Sequence, residues 1–311
     1  VESRDTGPLE AKVIQPVRRQ ETLKAQSVTR GPNGDWIFDF GQNLVGWVKI
    51  RMQAELARTV TLRFAEMLDH DGSLYLDNMR SAEVTDRYTF KDGEPVEWEP
   101  RFTFHGFRYV GVSGIDGPFD LDSVEAVVLH TDMRTTGSFE CSNPLLNRLQ
   151  QNIVWGQKGN YLEVPTDCPQ RDERLGWTGD AQVFVRTATF NMQIVPFFEK
   201  WLADMRDAQR EDGSIPVIIP ALDGMGSSPA WSDAAVICPW VIYERYGNAK
   251  VLEKNYDMMK RWVDYQESTS DDLVWPGEAF GEWQGFGDWL AIDAPRPGEA
   301  PTPKNLLGTA Y

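Results

Sequence analysis

The spacing of apolar positions changes character part-way along the chain. Up to about residue 140 it has period two. Val60, Leu62 and Phe64 alternate with Thr59, Thr61 and Arg63, and Val48, Ile50 and Met52 alternate with Lys49 and Arg51. Such alternation puts one face of a strand in a core and the other in water. Further short strands are predicted at residues 35–40, 84–90, 107–112 and 124–130. Turn-rich clusters at 70–73, 91–93 and 114–118 separate them. Short strands at this spacing predict an antiparallel β-sandwich over residues 28–137. Residues 1–27 carry little pattern and read as a linker or as a strand from an upstream region.

Beyond residue 140 the period becomes helical. Asn143 can cap a helix with Pro144 in its first turn, and Leu145, Leu146, Leu149 and Ile153 then fall on one stripe. A second helix is predicted over 178–190. A third starts at Pro196, with Phe197, Phe198, Trp201, Leu202 and Met205 inward, and stops near Asp212-Gly213. A fourth covers 233–246, kinked at Pro239 and ended by Gly247. A fifth runs over 248–267 with Val251, Leu252, Met259 and Trp262 inward. Successive helices with long loops between them predict a helical toroid or bundle over 138–311. Thr302-Pro303 opens a sixth, which runs to Tyr311 without a capping residue. A half-helix leaves its apolar face without a following layer, so the expectation is a piece of a longer protein. The apolar faces meant for missing helices would also favour self-association into a homo-oligomer.

Charge narrows the partners. The 311 residues hold 31 Lys+Arg against 47 Asp+Glu, a formal charge of −16. That excess disfavours nucleic acid and anionic lipid, which need a basic surface. No run of about 20 apolar residues exists to span a membrane, and the first residues show no signal-peptide h-region. Cys141, Cys168 and Cys238 are odd in number and form no CxxC, so free thiols are expected rather than a disulfide framework or structural zinc. Free thiols favour the cytoplasm. His70, His105 and His130 all precede the cysteines, so a His-dependent nucleophile in the second half would have to borrow its histidine from the first. Nothing resembles a P-loop or a GxGxxG after a strand. Residues 68–77 lack the spacing of a calcium loop and read as a hairpin turn.

Two features carry candidate chemistry. Trp231, Trp275, Trp283 and Trp289 lie in loop-like stretches rich in Gly, Pro, Ser and Asp. An indole offers a platform to the C–H face of a sugar, although large aromatics also fill cores. The second feature is the segment 164–180. Its 14 residues from 167 to 180 hold Asp167, Asp172, Glu173, Asp180, Arg171, Arg174 and Trp177. Pro165, Pro169, Gly176 and Gly179 make it a shaped loop that leads into the helix at Thr178. Asp180 also has a structural explanation, the dipole of that helix's first turn. Asp172 and Glu173 have one too, as solvated partners of the arginines. The functional reading is a glycosidase acid site, in which one carboxylic acid protonates the leaving oxygen and a second carboxylate activates water or attacks. A close arginine works against an acid that must keep its proton, so that role requires Arg171 and Arg174 to point elsewhere.

The segment from Asp167 to Asp180, DCPQRDERLGWTGD, resembles the signature of bacterial α-L-rhamnosidases of glycoside hydrolase family 78. Phe38–Trp47 (FDFGQNLVGW), Leu74–Arg80 (LYLDNMR) and Gly287–Leu290 (GDWL) resemble further segments of that family in the same order. The resemblance implies a β-sandwich followed by an (α/α)6 barrel, incomplete here. It implies inverting release of terminal α-L-rhamnose from glycosides or polysaccharides, with no cofactor and no metal. Glu173 falls on the general acid, and Asp167 and Asp180 are the carboxylates grouped with it at the catalytic centre. Arg171 and Trp177 fall on substrate-binding positions, and Trp231, Asp288 and Trp289 match such positions in a looser alignment. The family's general base lies in the later barrel, beyond residue 311. Two other readings of the residues stay open, another helical-barrel glycosidase of glucosidase or trehalase type and a non-catalytic carbohydrate-binding protein.

Overall fold

The computed structural model describes residues 11–276 and 285–311. Its contacts fall into two compact units, one of Val17–Asp132 with Ser138–Gly176, the other of Val1–Pro16, Met133–Gly137 and Trp177–Tyr311.

The first unit is built on β1 (Val17–Lys24), β2 (Ser27–Arg30), β3 (Trp36–Met52), β4 (Thr59–Ala65), β5 (Met67–Leu68), β6 (Leu74–Tyr75), β7 (Thr85–Thr89), β8 (Val96–Trp98), β9 (His105–Ser113) and β10 (Val124–Thr131). The main path runs β1-β10-β3-β9-β4-β7, and β2 and β8 also pair with β3. Every pairing is antiparallel. The stretches 35–40 and 48–52, expected as separate strands, belong to the single 17-residue β3. Its first part pairs with β2 and β9, and its last part with β10 and β8. Its register against β9 shifts between Asp39 and Leu44. Gly41 turns there at φ +72, its N–H donating to Asp39 Oδ1 at 2.7 Å, and the one strand carries four partners around a common core. The alternation predicted for that core is present, because Val48, Ile50, Val60, Leu62, Phe64, Phe107, Val110, Val112 and Val124 are fully buried.

Two features of this unit differ from the sequence pattern. Val17–Lys24, which carries no readable period, is a strand at the end of the main path, paired with β10 from Val17↔Thr131 to Lys24↔Glu125. An edge strand keeps much of both faces in water, so alternation is not demanded of it. Helix α1 (Pro144–Asn160) begins as expected, with Asn143 Oδ1 accepting from the Leu145 N–H at 2.9 Å. Its apolar stripe is not its buried face, however. Leu145, Leu146 and Leu149 are 78%, 47% and 53% exposed, while Gln157 and Gly159 are buried. Gly159 comes so close to Val45 that a Cβ would lie 2.9 Å from its side chain. The helix is seated by the close approach of its last turn rather than by its leucines. The hairpin β11 (Tyr161–Leu162) and β12 (Val164–Pro165) follows, and from it the chain enters the polar loop.

The second unit is helical, with α2 (Thr178–Asn191), α3 (Val195–Ala208), α4 (Ala234–Tyr246), α5 (Ala249–Thr269) and α6 (Lys304–Ala310). The inward face predicted for α3 is fully buried at Phe197, Phe198, Trp201, Leu202 and Met205. This helix stops at Ala208, and the turn at Gly213 (φ +93) lies beyond it. Pro239 lies inside α4, which ends on Gly247 in the left-handed region (φ +65), its N–H donating to Tyr243 O at 2.8 Å. On α5 the buried line passes through Val251, Asn255, Met258, Trp262 and Tyr265, leaving Leu252 and Met259 half-buried at its edge. The fold class is thus an antiparallel β-sandwich followed by a helical domain. No helix among the described residues is long and apolar enough to cross a membrane, and the three cysteines are unpaired.

Candidate active site

The carboxylates of the polar loop are organised within the sandwich unit. Asp167 closes the loop on itself, because its N–H donates to Leu175 O at 3.1 Å and its Oδ1 accepts from the Leu175 N–H at 3.0 Å. Inside this clasp, Glu173 (φ +139) and Arg174 (φ +54) are consecutive non-glycine residues at positive φ. Such conformations cost on the order of 1–3 kcal/mol each and persist only where the surroundings impose them. Glu173 Oε2 accepts from Arg171 Nη2 at 2.9 Å and Nε at 3.3 Å, and from Arg80 Nη1 at 3.2 Å. Arg171 Nη2 also lies 3.6 Å from Asp167 Oδ2. One guanidinium therefore ties the two carboxylates together.

The neighbours of Glu173 in the chain turn away from it. Arg174 donates to Phe104 O at 3.0 Å with its guanidinium 4.8 Å over the Phe104 ring. Asp172 Oδ2 accepts from Ser81 Oγ at 2.6 Å and the Ser81 N–H at 3.4 Å, and the Ser81 hydroxyl draws its carboxyl below the usual range. Arg174 thus meets the condition set by the sequence reading and Arg171 does not. Arg80 and Ser81 are contacts of this loop that sequence reasoning missed. Arg80 precedes Glu173 by 93 residues, and the only available signal was its place at the end of the family-like segment 74–80. Asp167, Cys168 and Glu173 hold their ligand atoms within 4.8 Å of one another. Arg171 already bridges the two carboxylates, and burial pushes the Cys168 thiol up to about 11, so that it keeps its proton. This donor set suits an ion-pair cluster better than a metal.

The tryptophans are organised within the helical unit. Trp177 precedes α2 and is bridged to Ile218, while the Thr178 N–H and Oγ1 both donate to Val217 O at 2.9 and 3.0 Å. Phe286, also unforeseen, joins three indoles. Its ring centroid lies 5.6 Å from Trp177, 4.4 Å from Trp231 and 5.2 Å from Trp289. Gly179 makes room for Trp231, since a Cβ there would lie 2.6 Å from the indole nitrogen. Behind Trp231, buried Asp233 accepts from the Ala230 N–H at 2.6 Å and from Trp262 Nε1 and Gln266 Nε2 at 2.9 Å each. Burial raises its carboxyl pKa. Asp180 is exposed in the first turn of α2, Asp288 is half-buried and Trp289 is 40% exposed. Trp275, one of the loop tryptophans, is a core residue instead, 5% exposed and packed against Gly308. Trp283 lies outside the described residues.

The family described as the bacterial alpha-L-rhamnosidase six-hairpin glycosidase domain matches residues 134–311. The chain belongs to the bacterial alpha-L-rhamnosidase family. Residues 29–130 match that family's concanavalin-like domain. An alpha-L-rhamnosidase of Streptomyces avermitilis is 45% identical over 302 residues, covering 97% of this chain and 28% of the relative. One from Formosa agariphila is 44% identical over 280 residues, covering 88% and 30%. The chain thus spans less than a third of these relatives. The crystal structure of the Streptomyces avermitilis alpha-L-rhamnosidase complexed with L-rhamnose superposes with a TM-score of 0.90 over 97% of this chain and 28% of that one, at 45% identity. The solved structure of the alpha-L-rhamnosidase from Dictyoglumus thermophilum gives 0.90 at 38% identity, covering 97% of this chain and 34% of that one.

Proposed function

We propose that this chain contributes the acid side of a hydrolase that releases terminal α-L-rhamnose from rhamnosides or rhamnose-containing polysaccharides with inversion. The observation that carries this reading is the setting of Glu173, a carboxylate on strained backbone in a loop clasped by Asp167. Its contacts with Arg171 and Arg80 work against the acid role, so the reading requires bound substrate to draw those arginines away. Kinship with proteins named as alpha-L-rhamnosidases supports the sugar. In this reading Glu173 is the general acid that protonates the glycosidic oxygen as the bond to the leaving group breaks. A second carboxylate activates the water that attacks the opposite face. The family resemblance assigns that base to a glutamate of the later barrel, beyond residue 311. Asp167 and Asp180 accept sugar hydroxyls, Arg171 holds the carboxylates in register, and Trp177, Trp231, Asp288 and Trp289 bind the ring. The sandwich over 28–137, joined by the edge strand Val17–Lys24, and the barrel portion over 138–311 are the two modules of this assignment, with 138–176 packed in the sandwich unit.

The test is release of nitrophenol from an aryl α-L-rhamnoside beside hydrolysis of a rhamnosyl disaccharide, each with Glu173→Gln as control. Both are run on this chain and on a version extended past Tyr311. General-acid assistance is worth on the order of 10²–10⁴-fold and matters least for an activated leaving group. The disaccharide should therefore lose far more rate than the aryl glycoside. Equal losses on both substrates would remove Glu173 from the acid role.

A further inference from the structure

A cavity of about 350 Å³ in the sandwich unit is lined by none of the residues given roles above. It is lined by Asn43, Glu66, Asn152, Trp155, Asn160 and Pro169, with Gly156 on its helical wall. Three elements meet there: the irregular stretch of β3, the residue after β4, and the second half of α1. We propose that this cavity binds one neutral saccharide unit of the leaving group, set back from the scissile bond because neither Glu173 nor Arg80 lines it. The placement on the leaving-group side rests on the hydrolase reading, whereas the binding of a neutral sugar does not.

Its chemistry favours such a ligand. Hydroxyls both donate and accept, and carboxamides are the side chains that present both functions side by side. Asn43 spends one N–H on Glu66 Oε1 at 2.8 Å, which fixes the plane of its amide. Asn160 is held by its bond to Gly156 O at 3.0 Å and by Thr166 Oγ1 at 3.2 Å. Asn152 is exposed. Trp155 contributes an indole held in place by the sheet core and by Lys158, whose Nζ lies 4.3 Å from the ring centroid. The lining contains one carboxylate and no lysine or arginine, and the Lys158 ammonium beside Trp155 is paired with Glu21 Oε1 at 2.7 Å, so an anionic sugar gains little there. The volume is at the small end of ligand pockets, which run from about 300 to 1,000 Å³, and suits a single unit.

The cavity is also coupled to the acid loop inside the same unit. Pro169 belongs to the loop that Asp167 clasps. Glu66 Oε2 accepts from Asn78 Nδ2 at 3.1 Å. Asn78 lies in the turn that delivers Arg80 to Glu173 Oε2. A sugar hydrogen-bonded to Glu66 and Asn43 would thus sit on the scaffold that sets the acid.

The proposal is tested by titrating the 311-residue chain with methyl β-D-glucopyranoside, following the Trp155 indole N–H and the side-chain amides of Asn43 and Asn152 by ¹H–¹⁵N NMR. Sodium D-glucuronate serves as the charged control. Saturable shifts at these three side chains are expected, with Kd on the order of 1–10 mM, and clearly weaker ones with glucuronate. Gly156→Phe should weaken binding at least about tenfold. A Cβ at Gly156 meets nothing within 4 Å and phenylalanine outranks glycine in a helix, so this variant fills the cavity without straining the fold. Asn152→Leu, at an exposed position, gives a second variant with the same expected direction. Absence of saturable shifts, equal binding of glucuronate, or shifts that survive both variants would overturn the proposal. Glucoside binding at Trp155 in a protein that cleaves no rhamnoside at any length would sustain the cavity and remove the hydrolase reading. Rhamnoside cleavage with no shift at Trp155 would do the opposite.

Discussion

The acid loop and the tryptophan cluster draw on the same stretch of sequence, yet different forces hold them. Between Asp167 and Arg174 the chain is fixed by charge and by hydrogen bonds to distant partners. Arg80, Ser81 and Phe104 all come from connections between strands of the sandwich unit, 70 to 93 residues earlier. The loop carries two strained positions. From Trp177 onward the chain is fixed by packing, with Phe286 among three indoles and a buried Asp233 under Trp231. Charged contacts that are part-exposed contribute little to stability, whereas half-buried aromatics packed on one another contribute more. The first region therefore spends stability to present a carboxylate, and the second supplies stability while presenting ring faces.

The contrast is open to measurement. Phe286→Ala should have the largest effect on the fold, about 2–3 kcal/mol in urea denaturation, with a change in tryptophan emission because three indoles lose a neighbour. A loss under about 1 kcal/mol would show that the cluster is a surface feature. Gly179→Ala should cost about 1–2 kcal/mol, since overpacking against Trp231 outweighs the gain in helix propensity. An unchanged denaturation midpoint would mean that the indole moves aside freely. Arg80→Ala should change stability by less than about 1 kcal/mol yet lower rhamnoside turnover by on the order of tenfold or more, because Glu173 loses one of the groups that orient it. Equal stability with equal turnover would detach Arg80 from the site.

The smallest effect is expected at a charge pair away from the acid loop. Asp39 accepts both arms of Arg108 at 2.7 Å, and that pairing, aided by the Gly41 N–H, holds its carboxyl below the usual range. A lowered folded pKa stabilises the protein above the unfolded value of about 3.9. The contribution disappears as pH falls through the folded pKa. Wild type should lose about 1 kcal/mol more than Asp39→Asn between pH 6 and pH 3. Parallel stability curves for the two proteins would contradict the assignment.

How much of this was legible depends on the range of the interaction. The strand cores at Val60, Leu62 and Phe64 and the inward face of α3 follow directly from spacing, because burial of alternate or helical positions is a local rule. The caps at Asn143 and Gly247 were equally readable. The stripe Leu145, Leu146 and Leu149 was readable as a face but not as a buried one, since amphipathicity does not name its partner. Trp275 and Trp231 look alike in sequence, two indoles in polar loops, yet the first is core and the second packs on Phe286. Of the candidate acid site, the loop and its carboxylates were visible. That Arg171 clasps Glu173 while Arg174 turns to Phe104 was not, because both are arginines a few bonds from the same carboxylate.

By itself the sequence determined the change from period two to helical period, the unpaired thiols, the shaped acidic loop and the family. These rest on residue type and short spacing, which every conformer of the chain shares. Tertiary structure alone decided the partners across long separations: the four strands paired with β3, Arg80 and Ser81 on the acid loop, Phe286 among the tryptophans, and the amide-lined cavity beside α1. Each requires the chain to close a loop of tens of residues. The reward for closing one such loop rather than another depends on all the other contacts formed at the same time.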